Sequence, residues 1–183
     1  AFSMAAELIQ NAKKIYIVGI RSCEPLADFL GFYLNMLFDE VHVVRTNSAS
    51  EIFEQLMRIG AGDVLIGISF PKYSMRTVKA MELANSRSAG VISITDSIHS
   101  PLNLYSSCNL IARSEMASVV DSLTAPLSVI NALIVALCLK NQDSLKQSIE
   151  TLDQLYDDYQ IYGRDEMDPS GGEIDIFHQG SRV

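Results

Sequence analysis

The sequence predicts an α/β domain in which a five-stranded, doubly wound parallel sheet is flanked by helices. Apolar, β-branched runs alternate along the chain with segments whose apolar residues recur at helical spacing, and the connections are short. Several of these runs are apolar at almost every position, as expected for strands that are covered on both faces. A length of 183 residues with 48% apolar and 20% charged side chains suits one globular domain.

Five short apolar runs predict the strands. Their ranges are 15–20, 41–45, 64–69, 91–95 and 109–112. Because helical segments separate the first four runs, neighbouring strands are expected to run parallel, with helices on both faces of the sheet.

Three helices are predicted between the strands. The first carries an apolar stripe over 26–37, and the third covers 75–87 with one apolar face. The second runs to residue 59 and begins with the sequence from Ser48 to Glu51, which has the spacing of a capping box.

The chain beyond the last strand changes in character. Residues 121–139 are apolar on almost every side, so this helix is expected to be buried, either in a subunit interface or across its own sheet. A more polar helix is predicted over 143–159, followed by an acidic, flexible tail over 161–183. The folded domain is therefore expected to span 1–160.

The negative charge of the chain is concentrated near its C-terminus. The net charge is −8, and residues 142–183 contribute ten acidic and three basic side chains, or −7 of that total. The nearly neutral body, 1–141, presents no basic run of the kind that binds a DNA backbone. It remains compatible with a small anionic ligand.

The cysteines indicate neither a metal site nor a disulfide framework. Cys23, Cys108 and Cys138 are widely spaced, with no paired spacing to one another or to a histidine. We therefore expect no metal, no cofactor and a reducing, cytoplasmic location. No signal sequence opens the chain, and polar residues interrupt its longest apolar segment, so no membrane association is predicted.

The turn after the first predicted strand is the first candidate site. Gly19 permits a tight turn, and Ser22 and Cys23 directly precede a helix. Free backbone N–H groups at a helix start favour a phosphate, and Arg21 can add a charged donor. In the plain structural interpretation, the serine is a helix cap and Arg21 pairs with an acidic neighbour.

The turn after the third predicted strand is the second candidate site. Ser69 ends the strand, Ser74 is the expected N-cap of the next helix, and Lys72 and Tyr73 lie between them. Ligands of doubly wound sheets bind at the carboxyl ends of the strands, where both turns lie. Neither turn has the GxGxxG or GxxxxGK[ST] pattern, so nucleotide binding has little support.

Five further residues are weaker candidates. Thr95, Asp96 and Ser97 follow the fourth strand, where they could line the same crevice or simply form a turn. His99 is the histidine expected nearest the crevice, and Glu51 lies near another strand-end loop.

Three segments in a fixed order carry a family resemblance. The segments are IYIVGIRSCEPLADFL, DVLIGISFPKYSMRTVKAMELA and GVISITDSIHSPL, the last followed by CNLI. Over about 5–139 the chain resembles the sugar isomerase (SIS) domain, most closely the sensor domain of RpiR-type bacterial transcriptional regulators. The resemblance implies a flavodoxin-like sheet, dimerisation through helices and phosphosugar binding. It also implies a separate N-terminal helix-turn-helix domain that this sequence does not contain, so the chain is expected to be a piece carrying the sensor.

The resemblance also implies which residues contact phosphate. By position, the phosphate loops of the family fall on 19–23 and 69–74. Arg21 stands where many members have a second glycine, Cys23 stands where serine is common, and a proline and Lys72 replace the usual Ser-Gly pair. Arg21 and Lys72 are therefore expected to hold the anion through their side chains rather than through N–H groups.

The function predicted is that of a dimeric, cytoplasmic, phosphosugar-binding sensor without enzyme activity, which contacts DNA only through the missing domain. One alternative is an aldose–ketose sugar phosphate isomerase on the same fold. That reaction needs a general base, commonly Glu, and a group for ring opening, commonly His, and no motif supplies either. The other alternative is a dimerisation module with a vestigial sugar site.

Overall fold

The computed structural model describes residues 1–45, 48–113 and 122–159, and it confirms the predicted sheet. Its five strands are parallel and lie in the order β2-β1-β3-β4-β5. They are β1 Ile15–Gly19, β2 Val41–Val43, β3 Val64–Ile68, β4 Gly90–Thr95 and β5 Cys108–Ile111. Each strand lies within two residues of its predicted bounds.

Burial across the sheet explains why the strands could be recognised. Every residue of β1 and β3 is buried, whereas the edge strand β5 alternates between buried and half-buried positions. Central parallel strands have helices on both faces, so apolar side chains are favoured at every position. The register places Ile15 between Val41 of β2 and Val64 of β3.

Helices cover both faces of the sheet. They are α1 Phe2–Gln10, α2 Glu24–Asn35, α3 Ala49–Gln55, α4 Met75–Ser86, α5 Thr124–Lys140 and α6 Gln142–Tyr159. One buried cluster joins α1, α2 and α5 to one face, and a second joins α3 and α4 to the other. This arrangement is the doubly wound architecture that the alternation of strands and helices predicts.

Two details differ from the sequence predictions. No helix was expected at the start of the chain, yet α1 buries Ala5, Ala6 and Ile9 against the sheet. Its N-cap is Ala1, which offers no capping side chain, so the usual sequence signal of a helix start is missing. The N-cap of α3 is Ser48, as the predicted capping box requires, but the Ser48 hydroxyl lies 3.1 Å from that of Ser50 and makes no capping hydrogen bond.

Helix α5 is buried on one side and not all round. Ile130, Leu133 and Leu137 are fully buried in the core, whereas Val135 and Leu139 are 56% and 64% exposed. Of the two interpretations open for this helix, packing on its own sheet is therefore observed. A subunit interface on its exposed side stays a prediction.

The chain divides into two compact units, Ala1–Leu145 and Lys146–Val183. Within the second unit the described residues form the remainder of α6, where the Thr151 hydroxyl donates a hydrogen bond to the Gln147 carbonyl at 2.8 Å. The predicted acidic tail over 161–183 lies outside the described residues. A domain boundary at residue 160 therefore stays a prediction.

Two properties of the described residues bear on function. No single helix there is both long enough and apolar enough to cross a membrane; only α5 and α6 taken together, as a bent pair, reach that length and composition. The same residues contain no group of three or more His, Cys, Asp or Glu side chains placed to hold a metal ion.

Candidate functional site

A cavity of about 630 Å³ opens at the carboxyl ends of β1 and β3. These strands are neighbours, but the helices that follow them, α2 and α4, pack on opposite faces of the sheet. Such a reversal leaves a crevice, and ligands of open α/β sheets bind in it. We call this space the switch-point cavity; its lining residues are Ile20, Arg21, Ser22, Cys23, Ser69, Phe70, Pro71, Lys72, Tyr73, Ser74, Met75 and Arg76.

The first loop of the switch-point cavity forms a tight 3₁₀ turn over Arg21–Cys23. Gly19, immediately before it, does not line the cavity, but a Cβ there would overlap the Cys23 carbonyl oxygen and lie 3.0 Å from Ala27 Cβ. The tight turn predicted from Gly19 is therefore present, and the reason for glycine is space rather than an unusual φ.

The second loop is held by its two serines. The Ser69 hydroxyl accepts a hydrogen bond from the Ser74 backbone N–H at 3.0 Å, and Ser69 is almost fully buried. The Ser74 hydroxyl accepts one from the Thr77 N–H at 3.5 Å, which confirms the predicted N-cap of α4. Both serines thus shape the loop, and the loop presents Lys72 between them.

Arg21 and Lys72 both adopt the left-handed backbone conformation, with φ of 60° and 63°. This region is sterically unfavourable for residues with a Cβ and is most often occupied by glycine. The family resemblance implied glycine near these two points of the loops. The structure shows that the glycine-like backbone is retained although both residues carry long cationic side chains.

The cationic side chains dominate the electrostatics of the switch-point cavity. Arg21, Lys72 and Arg76 line it, and no carboxylate is among the described lining residues. Within ranges 1–45, 48–113 and 122–159 none of the three forms an ion pair, whereas Arg45 pairs with Asp28 at 2.8 Å. The arrangement can therefore bind an anion through charged donors.

Tyr73 connects the second loop to the segment after β4. Its hydroxyl donates a hydrogen bond to Asp96 Oδ1 at 2.8 Å. The buried Thr95 hydroxyl lies 2.8 Å from Ser100 Oγ and thereby anchors the same segment. Burial first, and then the hydrogen bond to Asp96, raise the pKa of the Tyr73 hydroxyl. Thr95 and Asp96 therefore support the cavity wall without lining it.

The other weak candidates lie elsewhere. The Ser97 hydroxyl accepts a hydrogen bond from the His99 N–H at 3.1 Å, so it closes a local turn. His99 is exposed, and neither His99, Ser97 nor Glu51 is among the residues that line the switch-point cavity.

Sequence reasoning did not single out several of the lining residues. Ile20, Phe70, Pro71 and Met75 supply its apolar wall, and Arg76 supplies a third cation. A usable signal for Arg76 was present, because the first turn of a helix directly after a candidate phosphate loop faces the same crevice.

Comparison with known proteins agrees with this architecture. The family model described as the SIS domain matches residues 8–136, which is most of the chain. The chain belongs to the SIS domain family. A curated relative of this SIS domain, an uncharacterized HTH-type transcriptional regulator of Caldanaerobacter subterraneus, is 28% identical over 159 residues, which cover 82% of this chain and 54% of the relative. The chain thus spans about half the length of that relative.

Solved structures share the fold of this SIS domain. The sugar isomerase domain of an RpiR transcription factor from Sphaerobacter thermophilus is 24% identical, with a TM-score of 0.79 over 84% of this chain and 85% of that one. NanR of Vibrio vulnificus, solved with ManNAc-6P, is 20% identical, with a TM-score of 0.72 over 84% of this chain and 60% of that one. A Methanococcus jannaschii protein whose structure infers a 3-hexulose-6-phosphate isomerase is 14% identical, with a TM-score of 0.64 over 80% and 82%.

Proposed function

We propose that this SIS domain is the effector-binding part of a bacterial RpiR-type transcriptional regulator and that it binds a phosphosugar in the switch-point cavity. The observation that carries the proposal is a set of three cations, Arg21, Lys72 and Arg76, which form no ion pair among the described residues and surround a crevice that contains no described carboxylate. A volume of about 630 Å³ is in the range of small-molecule sites.

The chemistry of the cavity matches a phosphate group. The first N–H groups of a helix have no partner within it and favour an anion. At the start of α4 the Ser74 and Thr77 N–H groups donate to serine hydroxyls, so the N–H groups left for an anion are those of Met75 and Arg76, which line the cavity. Lys72 and Arg21 come from opposite loops and can donate to phosphate oxygens from two sides. The sugar would then extend along the apolar wall that includes Phe70.

We propose a sensor rather than an enzyme. Aldose–ketose isomerisation moves a proton between adjacent carbons and needs a general base at hydrogen-bonding distance. The described lining residues of the cavity include neither a carboxylate nor a histidine. A regulator needs only that the ligand bind one arrangement of the protein better than another. The similarity to both regulator and isomerase structures leaves this distinction to experiment.

The remaining parts of the proposal concern partners. The curated relative is an HTH-type regulator nearly twice as long as the matched region, and we propose that DNA is contacted through such a separate helix-turn-helix part. A cytoplasmic location and a dimer belong to the same proposal.

A thermal-shift screen tests the proposal. The chain is heated with hexose, pentose and acetylamino-sugar phosphates, including ManNAc-6P, with the free sugars and inorganic phosphate as controls. A ligand at about a hundred times its Kd adds about 2.7 kcal/mol, a rise in Tm of roughly 5–10 °C. We expect one phosphosugar class to give this rise, the free sugars not to, and Lys72→Gly to reduce it. Lys79→Ala is the matched control, because Lys79 lies on α4 outside the cavity and pairs with Glu82.

The screen also separates the alternatives. If no phosphosugar raises the Tm, the proposal is wrong and a vestigial site is favoured. If the stabilising phosphosugar is converted when it is incubated with the chain, as followed by NMR, the isomerase replaces the sensor.

A further inference from the structure

We infer that the ligand of the switch-point cavity carries a second anionic group, a carboxylate or a second phosphate, besides the phosphate of a simple phosphosugar. This inference rests on the proposed function and adds the class of ligand. It follows from the number of cationic side chains around the cavity and from the local cost of placing each of them there.

The backbone at Arg21 and Lys72 is strained. Both have φ near +60°, where a residue with a Cβ is strained and glycine is not. Strained positions persist where the surrounding structure or a function requires them. Glycine would form the same loops without strain but would remove the cation, so the side chains themselves have a use at these points.

Ser88 provides the contrast. It has a φ of 60° as well, but its N–H donates to the Asn85 carbonyl and the next N–H donates to the Ala84 carbonyl. These two bonds are a Schellman motif that closes the C-terminus of α4, so the backbone conformation at Ser88 has a purely structural explanation. Arg21 also lies in a turn, which the Cys23 N–H closes by donating to the Ile20 carbonyl at 3.3 Å, but Arg21 and Lys72 line the cavity and Ser88 does not.

The position of Arg76 is electrostatically unfavourable, because it places a cation at the N-terminus of a helix. Arg76 lies in the first turn of α4, which has no acidic residue, and the helix dipole there disfavours a cation. An anion bound at this helix start would attract both the helix N-terminus and Arg76, and so offset that repulsion. Three cations therefore share one cavity, two at strained backbone positions and one at a helix start that disfavours positive charge.

The charges decide the class of ligand. A phosphate monoester carries about −1.5 to −2 at neutral pH, and the cavity offers three positive charges. In the part of the chain that the structure describes, no carboxylate pairs with any of the three. Glu24 follows the first loop but is not a lining residue. One phosphate leaves about one cation unmatched, and a phosphorylated sugar acid or a sugar bisphosphate matches all three.

Calorimetric titration of the whole chain with two pairs of compounds tests the inference. One pair is glucose 6-phosphate and 6-phosphogluconate, and the other is fructose 6-phosphate and fructose 1,6-bisphosphate. We expect the more anionic member of at least one pair to bind about tenfold more tightly, the order expected of one additional exposed charge-assisted contact. The pair that shows the preference tells a carboxylate from a second phosphate.

Glycine variants identify the residues responsible. Arg21→Gly and Lys72→Gly each remove one cation. Because glycine adopts positive φ without strain, both variants are expected to fold. At least one of them should reduce the tenfold ratio to about one. Ser88→Gly is the matched control and should leave the ratio unchanged.

The outcomes distinguish the two proposals. If singly and doubly anionic compounds bind equally, or if the preference survives both glycine variants, the second anionic group is wrong while phosphosugar binding stands. If none of the four compounds binds and the thermal-shift screen is also flat, the proposed function itself is wrong.

Discussion

At Gly19 the end of β1 passes against the start of α2 with no room for a side chain. A Cβ at this position would overlap the Cys23 carbonyl oxygen, which is backbone and cannot rotate away. Gly19→Ala should therefore lower the free energy of unfolding by about 1–3 kcal/mol, as overpacking does, measured by urea denaturation.

Gly60→Ala is the matched control for this prediction. Gly60 lies outside the left-handed region, and a Cβ there meets nothing within 4 Å. Alanine at such a position reduces the entropy of the unfolded chain, so the stability should rise by about 0.4–1 kcal/mol. Equal effects of the two substitutions would show that the space at Gly19 is not what requires glycine.

At the scale of elements, Tyr73 ties the loop before α4 to the segment after β4. Tyr73→Phe removes the 2.8 Å hydrogen bond to Asp96 and should cost about 1 kcal/mol at neutral pH. The pH dependence identifies the group. Because burial and Asp96 raise the pKa of Tyr73 above its ordinary value of 10.0, the folded chain keeps this proton after the unfolded chain has lost it.

The sign of the pH effect follows from that difference. The contribution of Tyr73 is fully present below pH 10 and is lost as the pH rises through the higher pKa of the folded state. Urea denaturation between pH 8 and pH 11 should show stability falling with pH, and less steeply in Tyr73→Phe. Tyr16, Cys108 and Cys138, whose pKa values burial also raises, and Lys79, whose pKa is raised by its hydrogen bond to Glu82, supply the slope that remains in the variant. An unchanged slope in Tyr73→Phe would contradict the role assigned to Tyr73.

At the scale of the whole molecule, the exposed apolar side of α5 bears on assembly. Val135 and Leu139 are more than half exposed on this helix, and Phe32 on the neighbouring α2 is 65% exposed. Large apolar side chains exposed on two helices that pack together are typical of a surface that another subunit covers. We expect a dimer by light scattering, and Val135→Glu should shift it toward monomer.

Leu104→Glu is the control for the assembly prediction. Leu104 is 77% exposed and lies in the turn Pro101–Leu104, away from α5. Leu104→Glu therefore also replaces an exposed apolar side chain by a negative charge, but outside the expected interface. A monomeric parent chain, or a dimer that tolerates Val135→Glu, would remove α5 from the interface.

The sequence by itself determined the sheet and its candidate loops. Strands such as β3 are apolar throughout because helices cover both faces of the sheet. A run of consecutive apolar residues in the sequence therefore indicates such a strand. The rule that ligands bind at the carboxyl ends of parallel strands then indicated the loops at Arg21 and Lys72. Helix α1 was missed because Ala1 offers no capping signal and its amphipathic segment is only nine residues long.

Only the tertiary structure decided which candidates meet. Spacing along the chain does not tell whether Asp96 lines the cavity or supports its wall. The answer depends on Tyr73, which lies in the loop after a neighbouring strand and donates a hydrogen bond to Asp96. Nor does spacing reveal that Arg21 and Lys72 keep a glycine-like backbone, since the spacing of residue types does not encode backbone dihedral angles. Local periodicity encodes burial, but the convergence of three cations on one crevice arises from contacts between residues far apart in the chain.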